Sequence, residues 1–321
     1  MSETPFLSVL ITAYRRKEYL LRAVRSVQAQ TLPRSEFEIV VIKAFTDAAI
    51  DQELAAADCH VLDDCPESIG GMMSAGFRAC RGEVVSVLDD DDEFEPEKLR
   101  FVRDTFAHRP GLGYLHNGLR LIDEQGAPVG PADPKPGDRA YDMSHDEGFC
   151  TSCISVRRTT MERVLDRWPS VTKGEDTFLD HVSRATGAAR LVSPTPLTRY
   201  RVHPTMSSST TNFAAAYLAT AKVILTLPRS PARDSSLAVL LGRYMSAAVR
   251  GRSSDRGGAL WALSQLLRSG HLTELKPDAR EIFCGALIGV SPGLSATTYR
   301  ALRRGDVDWL PPATAPRPRG P

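Results

Sequence analysis

Glu83-Val84-Val85-Ser86-Val87-Leu88-Asp89-Asp90-Asp91-Asp92 is the stretch on which the reading of this chain turns. The run from Glu83 to Leu88 predicts a buried strand, and four carboxylates follow where it ends. Adjacent carboxylates repel one another and are costly at the end of an apolar strand unless a cation compensates. Alternation sends Asp89 and Asp91 to one side and Asp90 and Asp92 to the other, for as long as strand geometry lasts. Open α/β sheets bind ligands at this carboxyl edge. Clustered carboxylate oxygens suit a hard cation such as Mg²⁺ or Mn²⁺, which in turn holds a diphosphate. The plainer alternative is a solvated acidic turn, with Asp92 or Glu93 capping the next helix. The coincidence of strand end and carboxylate run favours the metal.

Working outward, the flanking sequence alternates strand and helix signals. Phe6 to Thr12 is an apolar strand, and Arg16 to Gln30 places Tyr19, Leu20, Ala23, Val24 and Val27 on one helical face. Glu38 to Ile42 and His60 to Leu62 are further strands, and Ser68 to Cys80 is a helix weakened at its start by Gly70-Gly71. Glu97 to Phe106 is a helix with Pro96 at its first turn. Such a βαβαβαβ run predicts a mainly parallel sheet covered on both faces. Further on, 113–116 and 119–122 read as two strands, 126–138 as a Pro/Gly-rich loop, 159–167 and 174–185 as helices, and 190–192 and 197–202 as returning strands. Beyond Asn212 the pattern is helical at 214–227, 235–250, 256–269 and 277–289, and residues 311–321, with five prolines, predict a disordered tail.

Composition narrows the classes. Of 321 residues, 42% are hydrophobic and 25% charged, which excludes a disordered or fibrous chain. The net charge of +1 gives the whole chain no field that demands nucleic acid. That balance hides an asymmetry: residues 213–321 carry +8, which leaves −7 for residues 1–212. The acidic part invites a metal ion and the basic part an anionic surface. Met1 to Pro5 lacks the pattern of a secretory signal, and no apolar run reaches the length of a membrane span. Six cysteines do not make a disulfide scaffold in a chain of this length, and Cys150-x-x-Cys153 stands without a second pair. Plain thiols in a reducing, cytoplasmic compartment are the expectation, with peripheral attachment to the inner membrane face as an extension of it.

At this point the sequence resembles the family-two inverting glycosyltransferases of the GT-A fold, across about residues 6–210. SVLITAYRRKEYLLRAVRSVQAQT, from Ser8, is similar to that family's first strand, its nucleotide-contacting Thr/Tyr turn and its first helix. CRGEVVSVLDDDDEFEPEKL, from Cys80, resembles its Asp-x-Asp segment, with the following Pro and Lys-Leu. GEDTFL at 174–179 looks like its Glu-Asp motif, and YRVHPTMSSS at 200–209 like its late Tyr-Arg-x-His segment. The resemblance implies a GT-A-like, Rossmann-type α/β fold with a mixed, mainly parallel sheet and a helical carboxyl-terminal extension. It divides the chain into a catalytic domain at 1–212, a helical region at 213–310 and a tail at 311–321.

The resemblance also implies roles. Asp91 ligates the metal, Mn²⁺ or Mg²⁺, and His203 completes its shell; a His with two carboxylates tilts the choice towards Mn²⁺. Asp89 faces the ribose of the nucleotide or the waters of the metal. Asp176 is the general base towards a hydroxyl acceptor, and Glu175 orients the acceptor or Asp176 itself. No carboxylate is needed as nucleophile, so a single displacement inverts the sugar. Thr12, Ala13, Tyr14, Lys43, Gly70, Asp89 and Asp90 are the candidates for the nucleotide. Gly70-Gly71 reads equally as a phosphate approach or a tight turn. Lys43 departs from the family, which commonly has an acid pair just after the second strand. Lysine cannot accept from a base N–H, so usual uridine recognition is not implied, and a GDP-linked donor stands beside a UDP-linked one.

The resulting expectation is a metal-dependent glycosyltransferase acting on a nucleoside-diphosphate sugar and a glycan hydroxyl, lipid-linked if the basic helices meet a membrane. Those helices carry apolar stripes at Leu237, Leu240, Leu241, Tyr244, Met245 and Ala248, and again at Leu260, Trp261, Leu263, Leu266 and Leu267. Packing on the chain's own core is the first reading of the stripes, and peripheral membrane contact the competing one. A sugar-nucleotide nucleotidyltransferase is a rival, although Ala13-Tyr14-Arg15-Arg16 lacks that class's glycine-rich loop. A non-catalytic GT-A-like binding protein is the other.

Overall fold

Strand β1 (Leu7–Ala13) is buried over its whole length, between β2 (Phe37–Lys43) and β4 (Val84–Asp89), both parallel to it. The computed structural model describes residues 4–14, 16–63, 66, 68–146, 149–204, 213–251, 253–270 and 279–303. Among these, β3 (Cys59–Leu62) extends the parallel half beyond β2. On the other flank β8 (Ile154–Arg157) joins β4 antiparallel, followed by β6 (Leu112–Ile122), β9 (Ala189–Arg201) and the short β5 (Glu93–Phe94). The strand order is β3-β2-β1-β4-β8-β6-β9-β5, with β7 (Pro128–Val129) beside β6. The sheet is mixed and mainly parallel, as the alternating pattern implied.

Helices cover both faces because each presents one apolar stripe. Helix α1 (Leu20–Gln28) buries Leu20, Ala23, Val24 and Val27; with α2 (Ala48–Ala56) and α4 (Lys98–Ala107) it closes one core under Leu7, Val9 and Ile11. The opposite core takes Leu10 and Val85 of the sheet, α3 (Ile69–Ala79) and α7 (Glu175–Ala185). Two further helices enter that same core, α8 (Ala214–Ile224) and α9 (Pro231–Arg250). Every residue of the α9 stripe, from Leu237 to Ala248, is buried there. Packing on the chain's own core is therefore the correct reading of that stripe. Beyond it stand α10 (Arg256–Ser269), α11 (Ala279–Val290) and α12 (Pro292–Arg303). The last of these helices was not foreseen.

Two expected breaks are absent. The strands read at 113–116 and 119–122 form one strand, β6, and those at 190–192 and 197–202 form its parallel partner, β9. The Asn117-Gly118 step is a register shift rather than an end. Gly118 allows it: a Cβ there would lie 2.4 Å from the carbonyl oxygen of Pro194. The segment 159–167 holds one short helix, α6 (Arg158–Met161), before tight 3-10 turns. Helix α5 (Arg139–His145) closes the Pro/Gly-rich loop. The expected disordered tail, Cys65 and residues 205–209 of the late segment lie outside the described residues.

Candidate active site

The carboxyl ends of β1, β2 and β4 meet at one edge, which places Thr12, Ala13, Lys43 and Asp89 in adjacent register positions. Strand geometry stops at Asp89. The Asp92 amide donates back to the Asp89 carbonyl at 3.3 Å, so the acidic run curls into a turn. This overturns the simple alternation. Asp92 swings round to join Asp89 and Asp91, and one carboxylate oxygen from each lies within 4.8 Å of the others. Asp90 is left apart and takes a 2.8 Å ion pair from Arg16.

The turn is held by groups from distant segments. Arg201, buried at the end of β9, donates its amide to Asp92 Oδ1 (2.9 Å) and its Nε to the Asp91 carbonyl (2.8 Å). Its guanidinium also pairs with Glu93. The Ser152 hydroxyl receives the Asp89 amide at 3.0 Å, and the Lys98 ammonium lies 2.5 Å from the Ser152 carbonyl. His203 Nε2 sits 2.9 Å from Asp91 Oδ2 and 3.0 Å from an Arg16 nitrogen, and Arg16 itself pairs with Asp91. The Tyr19 ring packs on both sides of this arrangement, 5.4 Å from the His203 ring and 4.7 Å from the Arg201 guanidinium.

Charge in this turn is only partly compensated. Burial, with the neighbouring Asp91 charge, pushes Asp90 up to about 7 and Asp92 to about 8, and drives Asp89 well above its ordinary value. Burial also acts on Asp91, but the His203 hydrogen bond and the Arg16 charge outweigh it and hold this carboxyl below its usual range. Asp92 Oδ2 is buried and has no hydrogen-bond partner among the described residues. A buried carboxylate oxygen without a donor is costly, and here it points to a cation held with Asp89 and Asp91. The donor set, all oxygen with an imidazole beside it, fits a hard or borderline divalent ion.

Facing this turn is the start of α7. Gly174 caps it at φ +79°, in the left-handed region. Glu175 and Asp176, half-buried, occupy the first turn, where the helix dipole favours negative charge. Burial nonetheless lifts Glu175 to about 7 and Asp176 to about 6. The Asp176 carboxylate accepts the Thr177 amide at 2.6 Å and also the Cys150 amide, while Asp146 and Asp180 add repulsion. Cys150 adopts φ +61°, and its sulfur lies 3.2 Å from Cys153; both are buried free thiols. The Glu175 charge is felt at Asp89, so the two acidic groups belong to one electrostatic site.

The remaining candidates divide. Thr12 and Ala13 end β1, and Tyr14 follows them, packed against the core. Lys43 does not project from the edge. Its ammonium is buried, donating to the Phe45 carbonyl (3.0 Å) and Asp63 (2.5 Å), with an ion pair to Asp51 at 3.1 Å. Gly70 lies in α3, where a Cβ would meet the Trp168 and Val171 carbonyl oxygens at 2.3 and 2.2 Å. Close helix packing accounts for this glycine, and neither a phosphate cradle nor a tight turn is needed to explain it.

Four structural participants were missed in the sequence. Arg16 and Arg201 stood inside the quoted segments without roles, Lys98 in the Pro-x-Lys-Leu string, and Ser152 carried no signal at all.

Comparison with known proteins gives this geometry a family. Residues 8–111 match the model described as Glycosyl transferase family 2. An uncharacterised glycosyltransferase of Nostoc sp. is 32% identical over 173 residues, covering 50% of this chain and 53% of that protein. The chain spans less than two thirds of the length of the curated relatives it matches. Its fold is similar to that of S. aureus TarS 1–349, solved in complex with UDP, with a TM-score of 0.64 at 16% identity over 94% of this chain and 92% of the other. It is also similar to a mannosyltransferase of Pyrobaculum calidifontis, solved with GDP-Man and Mn²⁺, with a TM-score of 0.52 at 13% identity over 95% and 88%. Residues 8–111 thus carry a glycosyl transferase family 2 match, and the sheet with its helical carboxyl-terminal region forms a GT-A-like fold.

Proposed function

We propose that this chain transfers a sugar from a nucleoside-diphosphate sugar to a hydroxyl of a glycan acceptor, with inversion and with a divalent ion, Mn²⁺ or Mg²⁺. The observation that carries the reading is the convergence of Asp89, Asp91 and Asp92 at the end of β4, with Glu175 near enough for its charge to act on Asp89. Asp89, Asp91 and Asp92 would hold the ion, with His203 beside Asp91, and the ion would offset the charge of the departing diphosphate. Thr12, Ala13 and Tyr14 line the nucleotide's side of the edge. UDP in one structural neighbour and GDP-Man in another leave both bases as candidates for this chain. Asp63, held by Lys43, supplies at this edge the carboxylate that position 43 lacks, and it serves a uracil or a guanine N–H alike.

The acceptor side follows from the two carboxyls of α7. Asp176, ionised above about pH 6, takes the proton of the acceptor hydroxyl as that oxygen bonds to the anomeric carbon. The bond from that carbon to the phosphate oxygen breaks, and the nucleoside diphosphate leaves with the electron pair. Glu175, about half protonated near pH 7, donates in its protonated form a hydrogen bond that orients the acceptor. One displacement without a covalent intermediate inverts the anomeric centre. The catalytic part is residues 1–212 and the helical part 213–310, whose positive charge favours a lipid-linked glycan at the inner membrane face. Among the described residues no helix is long and apolar enough to cross a membrane.

Calorimetry with Mn²⁺ or Mg²⁺ and a panel of nucleoside diphosphates tests the donor half. Binding of UDP or GDP that requires the ion supports the reading, and binding indifferent to it removes the metal. Proton NMR of the first-formed product tests inversion: retained configuration would overturn the single displacement.

A further inference from the structure

While α9 is absorbed into the core, the outermost helices keep an apolar face outside it. On α10, Leu260 is 50% exposed and Leu267 is 62% exposed; on α11, Phe283 is 56% and Val290 62% exposed. Each pair is seven residues apart, two helical turns, so each marks one line along its helix. The two lines meet at one end. Gly289 lies against Leu260, where a Cβ would be 2.7 Å from the leucine side chain, and the Arg256 Nε donates to the Gly289 carbonyl at 3.1 Å. Leu294, 49% exposed, continues from Val290 into α12. Isolated exposed leucines are ordinary, but large apolar side chains gathered on two touching helices mark a contact surface.

Charge chooses the partner. Arg256 and Arg268 stand at the two ends of α10. Of the described acids on these helices, Asp255 is exposed and caps α10 through the Gly258 amide, while Glu281 is buried against Ser246, Arg250 and Tyr299; Glu274 and Asp278 lie outside the described residues. An apolar stripe bracketed by arginines, on a region carrying +8, complements an anionic lipid surface. A second copy of the chain would instead bring a like-charged face against it. We propose that the α10–α11 face is the surface by which this chain lies on an anionic bilayer, with Leu260, Leu267, Phe283 and Val290 entering the headgroup region. The inference does not depend on the transferase reading, and its test contains no catalytic step.

The test is flotation of the full chain with vesicles of phosphatidylcholine alone or with phosphatidylglycerol. The chain is expected to float with anionic vesicles at low salt and to be released at about 0.5 M salt, where the screening length falls to a few Å. Leu267→Glu with Phe283→Glu is expected to reduce the bound fraction at least tenfold. Both side chains are exposed, so the circular dichroism spectrum and melting temperature should be kept. Failure of the unaltered chain to float overturns the proposal. So does equal flotation of the doubly substituted chain, which would place the contact elsewhere. A dimer in light scattering that these substitutions dissolve, without flotation, would make the face a contact between copies and likewise overturn it.

Discussion

Replacing Asp176 by Asn separates the base from its surroundings. Asn keeps the shape and can still accept the Thr177 amide, which lies 2.6 Å from the carboxylate, so the start of α7 is preserved. It cannot take a proton. General acid–base catalysis contributes about 10²–10⁴-fold, so kcat should fall by that factor, or about 3–5 kcal/mol of barrier. Donor affinity, read by calorimetry, should change by no more than about twofold, because the lost interaction belongs to the acceptor. The pH profile supplies the second half of the test. Burial lifts Asp176 to about 6, and a base works only when ionised. The rate should therefore fall as pH drops through 6, roughly tenfold by about pH 5. Glu175→Gln removes the carboxyl at about 7 and should leave this acidic limb in place. Initial rates of nucleoside-diphosphate release from about pH 4.5 to 8.5 measure both. A rate that is flat down to pH 5, or turnover of the Asp176→Asn variant within a few-fold of the unaltered chain, would remove Asp176 from the chemistry.

Further outcomes follow from the same geometry. Asp91→Ala should abolish transfer and the ion dependence of nucleotide binding, whereas Asp90→Ala, which faces Arg16, should be milder; calorimetry showing equal, small losses would refute the assignment. Gly174→Ala should cost about 1–2 kcal/mol in denaturant unfolding, because Gly174 sits at φ +79° while its nearest neighbour is an unobjectionable 3.5 Å from a built Cβ. An unchanged midpoint would deny the left-handed cap. Lys43→Met should destabilise by about 1.5 kcal/mol, at the low end for a lost charged hydrogen bond, since Asp51 and Asp63 remain hydrated. If instead Lys43→Met left stability intact and weakened nucleotide binding about a hundredfold, the lysine would be a phosphate ligand.

What the sequence disclosed depended on how local the cause was. The parallel half of the sheet was legible because β1, β2 and β4 are continuous apolar runs buried on both faces. Strands β6 and β9 were split because Asn117-Gly118 and Pro194-x-Pro196 read as breaks. Pairing between two long strands absorbed them as register shifts, a tertiary effect invisible along either strand alone. The helical stripes were visible at 237–248 and 260–267, but not that the first is covered throughout while Leu260 and Leu267 of the second stay exposed beside a buried Leu266. That depended on α7 and α8 meeting α9 and leaving α10 outermost. Gly70 misled for a related reason. Its requirement for space comes from two carbonyls about a hundred residues away, whereas its dipeptide suggested a local role.

The acidic run shows the same division within the site itself. Its four charges demanded cations, and the sequence supplied that argument in full. The answer came from three remote places: Arg16 after β1, Lys98 at the start of α4, and Arg201 at the end of β9. Each fixed cation is spent on part of the turn. Arg16 takes Asp90 and Asp91, Arg201 takes the Asp91 carbonyl and Glu93, and Lys98 takes the Ser152 carbonyl behind the Asp89 amide. These bonds stabilise the turn in the shape that brings Asp92 round, contrary to strand alternation. Asp92 Oδ2 is left beside oxygens of Asp89 and Asp91 without a donor of its own among the described residues. Had the fixed cations reached all three carboxylates, the turn would be a closed salt-bridge network with little affinity for a further ion. Because they secure the backbone, Asp90 and Asp91 instead, Asp89 and Asp92 are left without an ion pair to a fixed cation among the described residues. The site proposed for a divalent ion is therefore the meeting point of Asp89, Asp91 and Asp92, with Glu175 of α7 near enough for its charge to act on Asp89.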